Sequence, residues 1–152
     1  GVPIWKNEKP FNVSKFAKKI IKILNDFNEK NSTSILLELE LGNYLVRECC
    51  VYVCKVMQIE EKFKKRYIFT DGTKHHLRGI APDHAQYITK SKIKKNSVIT
   101  GCTCQRGDIL LKDKSVPLLK IGDLIFINNT GAYCSSQTDN FHLLPKPKEY
   151  FQ

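Results

Sequence analysis

The sequence predicts a mainly β fold with some α: an antiparallel β-sandwich or barrel preceded by one αβ unit of a larger parallel barrel. Three observations carry this. Apolar residues recur at helical spacing between Val13 and Phe27. Ile35-Leu36-Leu37 is then continuously apolar, the pattern of a strand buried on both faces. Beyond Gly42 the chain breaks into short apolar runs punctuated by Gly, Pro and Asx residues, the pattern of antiparallel sheets.

Each element follows in order. Val13, Phe16, Ala17, Ile20, Ile21, Leu24 and Phe27 form one face of an amphipathic helix, with Asn12 as N-cap and Lys18, Lys19 and Lys22 outward. Asn31-Ser32-Thr33-Ser34 breaks it, and Ile35 to Leu39 reads as the strand that follows. One such αβ unit cannot close a barrel, so it is expected to complete something larger. A helical turn from Asn43 to Glu48 leads into a strand from Cys50 to Ile59. Glu60 to Arg66 reads as a charged loop, Tyr67 to Thr70 as a short strand and Asp71-Gly72 as a turn. Further strands are predicted at Val98–Cys102, Asp108–Leu111 and Asp123–Asn128, with a last one near Phe141–Leu144.

The 152 residues suffice for a core burying roughly 70% of the unfolded surface. No apolar run approaches a membrane span and no secretory signal opens the chain. Gly1-Val2-Pro3-Ile4-Trp5 reads as an interior cut, with more chain expected upstream. The net charge of +10 is spread over Lys18-Lys19, Lys62 to Arg66, Lys90 to Lys95, Lys112, Lys114, Lys146 and Lys148. Scattered cations of this kind fit solvated surfaces better than a nucleic-acid face. The six cysteines contain no C-x-x-C pair, and Cys49, Cys50 and Cys54 lie in an apolar run. This predicts reduced, buried thiols in a cytoplasmic protein and no metal site.

Three motifs at the ends of apolar runs carry the candidate chemistry: Glu40-Leu41-Gly42-Asn43, Gly101 to Asp108 with Cys104 and Gln105, and Gly131-Ala132-Tyr133. Glu40 at the tip of a buried strand would be costly without a partner, and a protonated ring nitrogen is one. Cys104 places a thiol beside a glycine turn. Tyr133 offers a phenol at a strand end. A fourth stretch, Asp71-Gly72-Thr73-Lys74-His75-His76-Leu77, brings two histidines to one loop, where either can bind a carboxylate or shuttle a proton.

Together these motifs resemble the C-terminal portion of the fold-type III pyridoxal-phosphate amino-acid decarboxylases, the ornithine and diaminopimelate decarboxylase-like family. That family's Glu-Pro-Gly-Arg corresponds to Glu40-Leu41-Gly42-Asn43, continued by Tyr44-Leu45-Val46. Pro is lost, and Asn43 supplies no charge where Arg would. Gly101 to Asp108 resembles its Gly-x-x-Cys-x-x-x-Asp segment, and Gly122-Asp123 followed by Gly131-Ala132-Tyr133 resembles its Gly-Asp strand and Gly-Ala-Tyr turn. Gly1-Val2-Pro3 followed by Phe11-Asn12-Val13-Ser14-Lys15-Phe16-Ala17 is similar to the end of its phosphate loop and the helix after it. Asp71 to Leu77 looks like a subgroup of which some members act on carrier-tethered amino acids.

The resemblance implies residues 1–45 as the end of a cofactor-binding (β/α)8 barrel and residues 46–152 as an antiparallel β-sandwich domain. It implies pyridoxal 5'-phosphate as cofactor, with Glu40 at the ring nitrogen and Gly42, Asn43 and Tyr133 on the phosphate side. Cys104 and Asp108 would be catalytic, Cys104 reaching into a partner subunit of a homodimer to control reprotonation after decarboxylation. His75, His76 and Gln105 would face the substrate, a diamino acid or an amino acid on an acyl carrier protein. Diamine-producing members carry an acid after the Cys, where this chain has Gln105. The Schiff-base Lys of the family lies in the upstream barrel, so this portion alone is expected to be inactive. Two alternatives stay open: a basic β-barrel that binds nucleic acid, and a catalytically inactive decarboxylase-like scaffold.

Overall fold

The computed structural model describes residues 9–77 and 85–151, the side chains of Asp113 and Lys114 aside. The Gly1 to Trp5 motif therefore lies outside the described residues. Helix α1 spans Val13–Asn31. The Asn12 side chain caps it by accepting the Lys15 N–H at 2.8 Å. Ser32, in the left-handed conformation at φ 52°, ends it. The outgoing chain is stitched back by Asn28: its Oδ1 accepts from Ile35 N at 2.9 Å, and its Nδ2 donates to Ile35 O at 3.0 Å.

The strand expected at Ile35–Leu39 is absent; the segment is irregular and exposed, Leu36 at 90%. A parallel strand exists only by pairing with neighbours, and no strand flanks this segment among the described residues. For the same reason the apolar stripe of α1 buries none of its residues here. A short helix α2 (Asn43–Val46) and a 3-10 turn (Arg47–Cys49) then lead into the sheet, as the sequence predicts.

The fold is mainly β with some α, as expected, and its centre is one six-stranded curled sheet. Its strands are β1 (Val51–Lys62), β2 (Lys65–Thr70), β3 (Ala85–Ile88), β4 (Lys94–Thr100), β5 (Ile109–Pro117) and β6 (Leu124–Asn128). They are ordered β3-β6-β1-β2-β4-β5. All pairs are antiparallel except β2 with β4, whose long crossover permits a parallel pairing. The first half of β1 pairs with β6 and the second with β2. A register shift between Val56 and Gln58 marks the change, and such bulges bend a strand and let a sheet curl. Alternating residues fill the concave side: Cys54 and Val56 of β1, Ile68 of β2, Ile125 and Ile127 of β6, packed against Ile99, Leu110 and Val116.

Three further strand assignments change. The charged stretch Glu60 to Arg66 is not a loop but the tip of the β1–β2 hairpin, turned by Phe63 and Lys64 at φ 53° and 61°. Most of its charges face water, as in the exposed Glu61–Lys95 pair at 3.0 Å, while Arg66 is buried and donates to the Pro117 and Leu119 carbonyls at 3.2 and 2.6 Å. The strand near Phe141–Leu144 is a 3-10 turn, because His142 and Leu143 adopt φ 55° and 57°, which no strand accommodates. The sheet also includes β3, which the sequence reading did not assign. Cys54 is buried as expected, but Cys49 and Cys50 are exposed, since the turn carrying them lies before the sheet begins. Among the described residues no helix is long and apolar enough to cross a membrane.

Candidate active site

Two groups of candidate residues form, at two places. The first is a concavity of about 500 Å³ between the apolar face of α1, the segment Leu37–Tyr44 and Tyr133. Its wall is mostly hydrocarbon, from Phe11, Phe16, Ile20 and Leu39, with Glu40, Asn43 and the Tyr133 phenol among its polar groups. The turn that carries Tyr133 is welded to the α2 region. Gly131 N donates to Arg47 O at 3.0 Å and Thr130 N to Cys50 O at 3.1 Å. A Cβ on Gly131 would stand 1.8 Å from the Val46 carbonyl oxygen. Tyr133 itself is left-handed, φ 65°, an uncommon conformation for an aromatic residue that redirects its side chain.

Gly42 completes this geometry. A Cβ there would lie 2.0 Å from the Tyr133 hydroxyl oxygen, so only glycine lets the phenol rest against this backbone. Asn43 Oδ1 is buried with no hydrogen-bond partner among the described residues. An unsatisfied buried acceptor costs stability unless a donor from outside the described residues meets it. Glu40 shares this concavity with Tyr133 but is exposed, where the sequence predicted a buried carboxylate. The burial depended on barrel neighbours that the described residues do not supply.

The second group sits where the loop after β2 meets the Gly101–Asp108 segment. Asp108 is buried, and its carboxylate accepts from Lys74 N (2.7 Å), Thr103 N (3.0 Å), Thr103 Oγ1 (2.6 Å) and Thr73 Oγ1 (3.1 Å). Gly101 permits it, because a Cβ there would meet the carboxylate at 2.2 Å. With its lone pairs occupied this way, Asp108 anchors two loops to each other. His75 Nε2 meets Gln105 Oε1 at 2.5 Å, and its Nδ1 lies 3.2 Å from Asp139 Oδ1. Cys104 is exposed, with His142 Nε2 at 3.9 Å from its sulfur.

His76 points the other way. It is buried, and its Nδ1 pairs with the Tyr52 hydroxyl at 2.9 Å, which also accepts from Thr73 N at 3.2 Å. Burial pushes the His76 imidazole below its ordinary pKa and the Tyr52 phenol above its own. His76 therefore supports the loop from beneath, while His75 sits at its surface. Cys104, Gln105, His75 and Asp108 are not in the wall of the Glu40–Tyr133 concavity. The clasp made by Thr73 and Thr103, and the contribution of Asp139, Phe141 and His142, were not read from the sequence. Thr103 apart, which lies five residues from Asp108, their partners are more than thirty residues away, beyond any local pattern.

A family profile described as pyridoxal-dependent decarboxylase, C-terminal sheet domain, matches residues 23–131. Over 97% of its length the chain is 28% identical to diaminopimelate decarboxylase of Buchnera aphidicola subsp. Schizaphis graminum, of which it spans 40%. Over 88% it is 26% identical to L-glutamyl-[BtrI acyl-carrier protein] decarboxylase of Niallia circulans, spanning 34% of that protein. The crystal structure of diaminopimelate decarboxylase from Helicobacter pylori complexed with L-lysine superposes with a TM-score of 0.76. The two are 26% identical, and the match covers 93% of this chain and 34% of that one.

Proposed function

The chain belongs to the pyridoxal-dependent decarboxylases, as their C-terminal sheet domain, and from that premise we propose that it is the C-terminal part of an amino-acid carboxy-lyase using pyridoxal 5'-phosphate. Residues 1–45 would close the cofactor-binding barrel and residues 46–152 form the second domain. The observation that carries the proposal is the Gly42–Tyr133 contact inside the Glu40 concavity. The residues present fit such a cofactor. A carboxylate can hold a heteroaromatic nitrogen in its protonated form and a phenol can donate to a phosphate oxygen, both beside a wall that is mostly hydrocarbon. Asn43 can donate an amide N–H on the phosphate side but supplies no charge, while its unpaired Oδ1 calls for a donor and not for a phosphate oxygen. When bound, the cofactor supplies the electron sink that lets the substrate carboxylate leave as CO2.

This chain's own residues would then do three things. Glu40 fixes the charge state of the ring, Tyr133 and Gly42 fix the position of the phosphate, and Cys104 delivers a proton to the substrate carbon. Asp108 and His76 hold the loops that carry Cys104 and His75. Gln105 favours a substrate without a free distal ammonium. It replaces an acid, and its amide oxygen is already engaged by His75. That is the chemistry of an amino acid tethered to a carrier, and one relative is named for such a substrate.

The test is cofactor binding by the intact protein that contains this chain. Adding pyridoxal 5'-phosphate should produce a bound-cofactor absorbance band. Gly42→Ala should weaken binding about tenfold or more, equivalent to roughly 1.4 kcal/mol, by displacing the Tyr133 phenol. Absence of the band in the intact wild-type protein would overturn the reading.

A further inference from the structure

Three segments that are far apart in sequence meet at Cys104, and the third has no role in the account above. The 139–142 segment is fastened to the loop after β2 through His75. Asp139 lies 3.2 Å from its Nδ1, and Phe141 stacks on its ring at 4.1 Å between centroids and 12° between planes. The next residue, His142, takes a left-handed conformation, φ 55° and ψ 24°. Its ring stands edge-on to Phe141, at 4.2 Å and 87°, and its Nε2 comes within 3.9 Å of the Cys104 sulfur. A non-glycine residue in this region carries strain. Leu143 repeats it at φ 57° while 91% exposed, so no packing at Leu143 accounts for the turn. The anchoring at His75 and the contact with Cys104 are what the strained turn achieves.

We propose that His142 is the proton partner of Cys104, forming a thiol–imidazole pair positioned by His75, Phe141 and Asp139. The step within the pair is balanced. The Cys104 S–H bond breaks as an N–H bond forms at His142 Nε2, giving thiolate and imidazolium with no change in total charge. After Cys104 has given the pair's proton to the substrate, leaving thiolate and neutral imidazole, His142 Nε2 takes a proton from a solvent water, whose hydroxide is neutralised in bulk solvent, and passes it to the sulfur, restoring the thiol. His142 acts through Cys104 and is a positioning residue; its value in catalysis rests on the acid role assigned to Cys104 above.

The other charged groups on the three segments are accounted for. Asp108 is buried under its donors, the Cys102 thiol is pushed up by partial desolvation and by Asp108, and Lys74 and Arg106 are exposed. His76 is turned to Tyr52 and Asp139 to His75. His142 is thus the titratable group within reach of the Cys104 sulfur whose contact is observed.

The test follows the rate of iodoacetamide labelling at Cys104 from pH 5 to 10, by peptide mass spectrometry on the intact protein, with exposed Cys49 as the internal reference. His142→Gln should slow labelling at pH 7 several-fold by removing the base beside the sulfur, and Phe141→Leu should slow it in the same direction. Superimposable profiles for wild type and His142→Gln would overturn the pair. The two readings fail separately. A shifted profile with unimpaired turnover in Cys104→Ser keeps the pair and removes its catalytic role. An unshifted profile with turnover lost in Cys104→Ser does the reverse.

Discussion

At Asp108 a single carboxylate accepts from Thr73, Lys74 and Thr103, so two loops share one buried anchor. Replacing it by Asn turns an NH2 group toward donors that need acceptors. Asp108→Asn should therefore cost about 2 kcal/mol, read as a lowered denaturant midpoint with an unchanged slope. An unmoved midpoint would show that the loops are held elsewhere. His76 makes a pH prediction. Its pKa is lowered in the folded protein, chiefly by burial and against the Pro145 carbonyl, from an ordinary 6.5. The unfolded chain then takes up the proton first as pH falls. Stability is full above about pH 6.5 and declines as the solution is acidified through that value. Melting curves between pH 7.5 and 5 should show the decline, and His76→Gln should flatten it. The adjacent histidines were visible as a pair in the sequence, but their opposite roles were not. Which one faces Tyr52 depends on a 3-10 turn and on a partner strand 24 residues away.

Among the elements, α1 was legible to its caps because helical spacing and an N-cap Asn act within one or two turns. The β1–β2 hairpin was not. Six charged residues between Glu60 and Arg66 read as a loop, yet strand pairing tolerates charge where the side chain faces water or, as at buried Arg66, meets backbone carbonyls. Phe63 and Lys64 hold positive φ at both central positions of a two-residue turn, the arrangement that Asn-Gly adopts most easily. Replacing Phe63-Lys64 with Asn-Gly should raise stability by about 1 kcal/mol and remove an exposed aromatic from the tip. A lower melting temperature in that variant would argue that the turn is held by contacts of Phe63, which is 90% exposed. The opposite error, a strand placed at Ile35–Leu39, has the same root. Apolarity marks a segment for burial, but only a neighbouring strand makes it a strand.

For the whole molecule, the separation of the two site groups has a direct consequence. Glu40, Asn43 and Tyr133 line one concavity, and Cys104 with His75 and Gln105 stands on another loop cluster. If a homodimer assembles each site from both copies, Glu40→Gln and Cys104→Ser variants should each lose turnover in the intact protein. Mixed and reassociated, they should recover about a quarter of wild-type activity, because half of the dimers pair the two variants and each keeps one intact site. No recovery on mixing, with subunit exchange demonstrated, would place all the residues of one site within one copy. The sequence by itself determined the family and the identity of the chemical groups, because motif order and residue type are properties of the chain read end to end. It also determined the helix and most strands, whose periodicity is local. Only the tertiary structure decided which groups meet. Gly42 lies under the Tyr133 phenol, Asp108 clamps two loops and His142 reaches the Cys104 sulfur. Those contacts join residues many tens of positions apart, and their distances are set by how the sheet curls rather than by any spacing along the chain.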